Sequence, residues 1–186
     1  MVNDDLNIDS VELRKAMEEL RKGSAEAFKL LYNKYNRKVY RFCFRMLGDS
    51  MLAEDAYQET FIKVYEHRKE FLGKNFSAWL FTIARHTCLN IMRTRKEYES
   101  FDEFFYHPFY ENKSDVGMKD FIDQAVATLP IPLREALILR EYEDCSYQDI
   151  ADILGIQLSL AKVRVHRARE ILRKLLAPIK QELHES

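Results

Sequence analysis

The residues of this chain best suited to bind a polyanion recur at close spacing near its C-terminus. Lys162, Arg164 and Arg167 fall on one predicted helix, and such side chains suit DNA phosphates and the edges of guanine. Before this helix stand Ser146, which can cap a helix N-terminus, and Gly155, which can take the left-handed conformation that ends a helix. Two short helices joined at a glycine, the second one basic, predict a helix-turn-helix whose second helix lies in the major groove.

A basic helical face is often only solvated, so the charge pattern of the whole chain matters. The formal net charge is −1 over 186 residues, which seems wrong for a protein that binds nucleic acid. However, basic residues collect in the stretches 37–45, 85–96 and 162–174, and a DNA footprint depends on such local patches. With 47% hydrophobic residues, only 5 glycines and 4 prolines, the composition favours a soluble, all-α protein.

The chain shows no pattern that predicts catalysis or a cofactor. Cys43, Cys88 and Cys145 are far apart and form no CxxC pair, so we expect buried thiols in a reducing compartment. Neither a nucleophile–base–acid set, a glycine-rich phosphate loop nor a metal-ligand spacing is present. The start of the chain lacks the character of a signal peptide, and no apolar run could span a membrane. We therefore expect a cytoplasmic protein that is not an enzyme and binds no metal.

Hydrophobic periodicity predicts two helical domains joined by a linker. The first domain, 1–97, should contain helices over 11–20, from Ser24 to about Gly48 with a bend or interruption, from Ser50, and from about Phe76 to Lys96. The acidic and aromatic segment 98–118 has no clear period and is predicted as the linker. In the second domain, 119–186, helices are expected over 119–129 and 133–143 on either side of a proline break, followed by the helix-turn-helix.

The third helix combines a buried stripe with an unusual opposite face. Apolar and small side chains recur at helical spacing from Ala53 to Val64. The opposite side carries acidic and amide groups together with Ile62. An isoleucine among exposed acids indicates a partner surface, although a solvated face with one stray apolar residue is an equally ordinary interpretation.

The fourth helix pairs aromatic residues at its start with basic residues further along. Aromatic rings stack on unpaired bases and neighbouring cations hold the backbone, so this combination suits single-stranded DNA. Trp79 lies on the expected core face and is predicted to be buried. Phe76 and the polar loop before it are predicted to contact bases instead.

At this point the residues resemble a known family. The segments LAEDAYQETF (52–61) and FSAWLFTIAR (76–85) are similar to the second conserved region of bacterial extracytoplasmic-function sigma factors. The segment from Leu129 to Leu137 and the helix-turn-helix resemble their fourth region, so the resemblance covers about 24–176. It implies a subunit that binds core RNA polymerase, directs it to promoters and helps to melt the start region. Such factors are commonly held by an anti-sigma factor, which is therefore an expected partner.

The resemblance also implies three binding surfaces. The clamp helices of the largest polymerase subunit would be contacted by Asp55, Gln58, Glu59 and Ile62. The minus-ten element would be bound by Leu72, Lys74, Asn75, Phe76, Arg85, Asn90, Arg93 and Arg95. The minus-thirty-five element would be bound by Ser159, Leu160, Lys162, Arg164, His166 and Arg167.

One departure from the family pattern and one alternative function leave room for other interpretations. Family members usually carry a small residue or threonine and then a β-branched residue where this chain has Leu160-Ala161, which puts base preference at that end in question. A free-standing helix-turn-helix repressor with a helical sensor domain is the alternative function. That alternative predicts tight duplex binding without polymerase and a dimer surface for palindromic sites.

Overall fold

The structure is a computed structural model and describes residues 10–72, 75–99 and 118–182. Lys74 and nearly all of the predicted linker lie outside these ranges. Within them the chain is helical and has no strand, so the all-α prediction is confirmed. The helices are α1 (Ser10–Lys22), α2 (Ala25–Leu47), α3 (Ser50–Glu66), α4 (Phe76–Glu99), α5 (Met118–Ala127), α6 (Ile131–Glu141), α7 (Tyr147–Leu154) and α8 (Leu158–Glu182).

Short polar side chains set where several of these helices begin. The hydroxyl of Ser24 accepts a hydrogen bond from the Ala27 backbone amide at the start of α2, and the Asp49 carboxylate caps α3 in the same way. Ser146 and Asp149 form a reciprocal capping box at the start of α7, which satisfies backbone amides that the helix leaves unpaired. The N-cap predicted at Ser146 is therefore confirmed.

Helix α2 is continuous, so the expected interruption is wrong. Its sequence has no glycine or proline between Ala25 and Leu47, so nothing breaks the ladder of backbone hydrogen bonds. Leu31, Val39 and Phe42 are all buried at helical spacing. They hold α2 against α3 and α4, with α1 packed alongside.

Helix α6 begins earlier than predicted, at Ile131 instead of 133, and ends at Glu141 instead of 143. Pro132 lies in its first turn, where a proline is tolerated because its missing N–H would have no partner in the helix. The backbone amides of Leu133 and Arg134 both donate to the Pro130 carbonyl at 2.9 Å. Pro130 and Pro132 therefore mark the N-terminus of α6.

Among the C-terminal helices, α8 packs against α5, α6 and α7, and α6 also packs against α7. Ile150, Ala151 and Leu154 of α7 are buried, as are Ala161 and Val165 of α8. The small Ala151 lets the two helices of the motif approach each other closely. Gly155 has φ 64° and ψ 40° between them, the left-handed conformation that the sequence predicted and that glycine adopts without strain.

Helices α1 to α4 form one helical group and helices α5 to α8 a second, and the two groups contact each other. Helix α4 packs on α7, and α2 packs on both α5 and α6. The buried apolar residues of the two groups form one connected cluster. The described parts of the chain are thus in a closed arrangement.

Candidate nucleic-acid and protein interfaces

The outer face of α3 presents the four residues that were predicted to bind a protein partner. The side chains of Asp55, Gln58 and Glu59 are exposed, and Ile62 is 58% exposed. The opposite face is buried, as expected, through the residues Ala53, Ala56, Thr60, Phe61 and Val64. The helix is thus anchored along its inner side, while its acidic outer side, with an isoleucine, is free to contact a partner.

Sequence reasoning missed one member of this face. Met51 is strongly exposed and lies one turn before Asp55, so it extends the same side of α3. The signal was its spacing of four, seven and eleven residues from Asp55, Gln58 and Ile62, which is the helical period. The face therefore has an apolar residue at each end.

Hydrogen bonds within the helix and to α4 order this face. Gln58 donates to the Glu54 carboxylate at 3.0 Å, and Lys63 lies 2.6 Å from the Glu59 carboxylate. The Lys63 ammonium also donates to the Thr87 hydroxyl of α4 at 3.3 Å. The last contact ties the acidic face of α3 to the helix that carries the predicted minus-ten residues.

The loop before α4 is partly exposed and partly held. Leu72 is 87% exposed. Asn75 caps α4, because its side-chain oxygen accepts from the Ala78 backbone amide at 3.0 Å. Its amide group also donates to the Asp149 carboxylate of α7 at 2.6 Å.

The exposure expected of Phe76 is wrong, since its side chain is only 2% exposed. Its ring lies 5.5 Å from that of Tyr35, 5.7 Å from that of Phe71 and 5.8 Å from that of Trp79. Phe76 is the first residue of α4 and shares the inward face with Leu80, four residues later, so its apolar ring enters the core. Trp79 is partly buried against the same cluster, which agrees with its predicted core position.

The predicted minus-ten residues along α4 differ in their exposure and in their contacts. Asn90 and Arg93 are exposed and lie three positions apart, on one side of the helix. Arg95 is half-buried. Arg85 turns towards α6, where its guanidinium donates to both oxygens of the Glu135 carboxylate at 2.7 and 3.3 Å. The predicted minus-ten residues therefore do not form one continuous surface in this arrangement.

The first half of α8 presents most of the predicted minus-thirty-five residues together. The exposed members are Ser159, Leu160, Lys162, His166 and Arg167. Arg164 is half-buried and lies 3.4 Å from the Glu135 carboxylate. Val163 is also exposed on this side, and sequence reasoning missed it. Its spacing of three from Leu160 and four from Ser159 was the available signal.

A buried acid that the sequence analysis did not single out lies in the turn after α6. Both carboxylate oxygens of Glu143 lack a hydrogen-bond partner among the described residues. Burial raises the pKa of Glu143 from 4.5 to about 7, against the opposing effect of Lys38, Arg41 and Arg45 on α2. The carboxyl group therefore faces a basic stretch of the other helical group without forming an ion pair to it.

The three thiols are buried, as predicted, and none forms a disulfide. A hydrogen bond to Cys88 and burial hold the pKa of Cys43 well above its usual value, and burial raises the pKa of Cys145 to about 12. The raised pKa keeps the thiols of Cys43 and Cys145 protonated, so these two are structural, since the thiolate is the reactive form. In the described ranges no cluster of histidine, cysteine and acidic residues could hold a metal ion. None of the described helices is long and apolar enough to cross a membrane.

Comparison with known proteins defines the class first. Residues 31–98 match the family model of sigma-70 region 2, and residues 122–172 match that of sigma-70 region 4. The sigma-H factor of Pseudomonas aeruginosa RNA polymerase is 33% identical over 91% of this chain and 96% of its own. The ECF sigma factor SigW of Bacillus subtilis is 29% identical over 88% of this chain and 96% of its own.

A solved structure agrees with this class. The sigma factor RpoE of Bartonella quintana, crystallised with the anti-sigma factor NepR, has a TM-score of 0.72 and 30% identity. The match covers 82% of this chain and 98% of that one. The chain belongs to the extracytoplasmic-function sigma factors of the sigma-70 family. It binds core RNA polymerase and directs promoter recognition and transcription initiation, and the repressor alternative is not favoured.

Proposed function

We propose that three surfaces of the chain each bind one partner during initiation: polymerase, the minus-ten element and the minus-thirty-five element. The exposed face of α3 binds the clamp helices of the largest polymerase subunit. Asp55, Gln58, Glu59 and Ile62 form that face. Its support is the exposed isoleucine within an acidic surface, because an apolar side chain gains free energy when a partner covers it. The carboxylates give the encounter its charge complementarity.

The loop from Leu72 to Asn75 receives a base of the minus-ten element. Extruding a base from the duplex costs a few kcal/mol of stacking, which the exposed Leu72 and the polar loop offset by new contacts. Asn90 and Arg93 guide the strand along α4, and Arg85 joins them once it is released from Glu135. Lys74 lies outside the described residues and keeps its predicted role in this loop. Phe76 contributes by fixing the loop from inside the core.

The first half of α8 binds the minus-thirty-five element. The exposed residues of this helix are the main support for the proposed function. Five of its six predicted residues are exposed on one helix, which the capped α7 and the glycine turn hold in place. Lys162 and Arg167 supply contacts to phosphates and guanine edges. Leu160 and Val163 supply apolar contact to a thymine methyl group.

The chain has two domains, binds an anti-sigma factor and acts in the cytoplasm. Residues 1–97 form the region 2 domain, 98–118 the linker and 119–186 the region 4 domain, a division that the two matched ranges support. An anti-sigma factor binds the chain, as one binds the relative from Bartonella quintana. The protein acts in the cytoplasm, where bacterial DNA and polymerase are found, and contributes no catalytic group of its own.

Transcription in vitro tests this function. Purified core polymerase, this protein and fragmented genomic DNA are expected to give discrete transcripts only when the protein is present. The double substitution Lys162→Ala and Arg167→Ala should abolish them. Arg173→Ala with Lys174→Ala is the matched control, because both residues are basic and exposed on the same helix but beyond the proposed face. Equal loss in both variants would remove the minus-thirty-five assignment.

A further inference from the structure

Lys63 of α3 lies between the acidic face that was assigned to polymerase and helix α4. Its ammonium group is 2.6 Å from the carboxylate of Glu59, which lies one turn earlier on the same helix. The ammonium also donates a hydrogen bond to the hydroxyl of Thr87 on α4 at 3.3 Å. One cation thus joins a carboxylate of the proposed binding face to a side chain of the neighbouring helix.

Thr87 gives this cation a fixed partner. The residue is fully buried, at a point where α4 packs against α3. Threonine has few χ1 rotamers in a helix, so the backbone of α4 sets the position of its hydroxyl. The Lys63 ammonium is therefore held from the core as well as by the charge of Glu59.

Exposure increases along this series of contacts from the core to the surface. Thr87 is buried, the Lys63 side chain is 30% exposed and the Glu59 side chain is 48% exposed. Lys63 contacts the Oε1 atom of Glu59, and the exposure of the carboxylate leaves it accessible to a second donor. Glu59 can therefore stay paired with Lys63 while it accepts from a basic side chain of a partner.

The contacts of Lys63 matter more to binding than to folding. An ion pair between residues four apart on a helix surface stabilises the helix only slightly. A flexible glutamate, however, loses rotamer freedom when a partner immobilises it, and this loss weakens binding. A glutamate that is already ordered in the free chain loses less freedom, so it binds more tightly.

We propose that Lys63 and Thr87 are positioning residues, which order the Glu59 carboxylate in the free chain for a basic side chain of core polymerase. Thr87 acts through Lys63, and Lys63 acts through Glu59. Thr87 is buried, so it affects the partner without touching it. The role of both residues rests on the assignment of Glu59 to the polymerase-binding face.

Thr87→Val removes the buried partner of Lys63 without changing the charge of the chain. Valine has nearly the shape of threonine but carries no hydroxyl, so both Lys63 and Glu59 keep their charges while Lys63 is less firmly held. Thr82→Val is the matched control. Thr82 also lies on α4, but its hydroxyl donates to the Ala78 carbonyl of the same helix at 2.8 Å.

The experiment measures the Kd of the full-length protein for core polymerase, with and without the substitution Glu59→Ala. When Glu59 is present, Thr87→Val is expected to raise Kd by about two- to fivefold. In the Glu59→Ala chain it should have no effect, since no carboxylate is left to position. Thr82→Val should leave Kd unchanged in both chains. A general disturbance of α4 would instead weaken binding equally in both.

Lys63→Met is the second variant, since it removes the ammonium and keeps an unbranched side chain. It is expected to raise Kd by up to about tenfold, again only while Glu59 is present. Loss of a positive charge from an acidic face would by itself strengthen attraction to a basic partner, so net charge does not explain weaker binding. Lys63→Arg keeps a cation and should bind polymerase more tightly than Lys63→Met.

Each other outcome decides a separate point. Equal weakening with and without Glu59 overturns the positioning role, as does an unchanged Kd in both Thr87→Val and Lys63→Met. If only Lys63→Met weakens binding, the role of Thr87 is overturned and that of Lys63 stands. If Thr87→Val does not fold, as judged by circular dichroism, the Lys63 variants decide the question. A Glu59→Ala chain that binds polymerase as tightly as the native chain would remove Glu59 from the proposed face, and the positioning role with it.

Discussion

Ile62 offers the sharpest test of the polymerase face, because its substitution should weaken binding to polymerase without lowering the free energy of unfolding. Burying a whole isoleucine side chain contributes roughly 1.5–3 kcal/mol. With 58% of the residue exposed in the free chain, a partner that covers Ile62 can gain only about 1–2 kcal/mol from it. Ile62→Ala removes most of that area, so the Kd for core polymerase should rise by roughly five- to tenfold.

Folding should respond little to the same change. Ile62 contributes little to the core, and alanine favours a helix more than isoleucine does by a few tenths of a kcal/mol, roughly. The free energy of unfolding is therefore expected to stay constant or increase slightly. Denaturant titration by circular dichroism measures this, and fluorescence anisotropy of a labelled chain titrated with core polymerase measures Kd.

Val11→Ala is the matched control for this test. Val11 is also β-branched, lies on α1 and is 64% exposed, but it is not part of the proposed face. Ile62 is not part of the polymerase-binding face if Ile62→Ala binds polymerase as tightly as the native chain. Its assignment to this face is equally refuted if Val11→Ala weakens binding by the same factor, because the effect would then be one of general surface apolarity.

Three further predictions concern DNA binding, the core and pH. Arg167→Ala should cost roughly 1–3 kcal/mol of promoter affinity and blunt sequence preference, whereas Lys162→Ala should weaken all sequences alike and reduce the salt dependence, as binding at several salt concentrations will show. Phe76→Ala should lower the free energy of unfolding by about 3–5 kcal/mol, and a smaller loss in denaturant titration would contradict its buried position. Because the pKa of Glu143 is raised to about 7, its penalty on the folded state is absent below about pH 4.5 and complete above about pH 7. Glu143→Gln should therefore be more stable than the native chain at pH 8 and show little difference at pH 4, with Asp144→Asn as the neighbouring control.

The helical plan followed from the sequence because its signals are local. Ser146 and Gly155 mark the ends of α7 through their own side chain and backbone preference. The stripe of α3 and the basic side of α8 follow from the helical period. The error at α2 arose from expecting a break in a segment that has no glycine or proline, where local propensity already favoured continuity.

The errors at the site arose from contacts between distant parts of the chain. Phe76 was expected at the surface because aromatic rings suit bases, but its ring meets Tyr35, which is 41 residues away in sequence. The pairing of Arg85 with Glu135 joins residues 50 positions apart. No local pattern indicates which of several arginines a buried acid will select, so this contact required the structure.

Sharing one carboxylate between two arginines also constrains how this chain can diverge. A mutation of Glu135 changes the surroundings of Arg85 in one helical group and Arg164 in the other at once. The three positions are therefore expected to change together during evolution, even though only one of the arginines belongs to the same group as the acid. A chimera that exchanges residues 119–186 for those of a relative must supply an acid at this position, or Arg85 will enter the new interface with its charge unpaired.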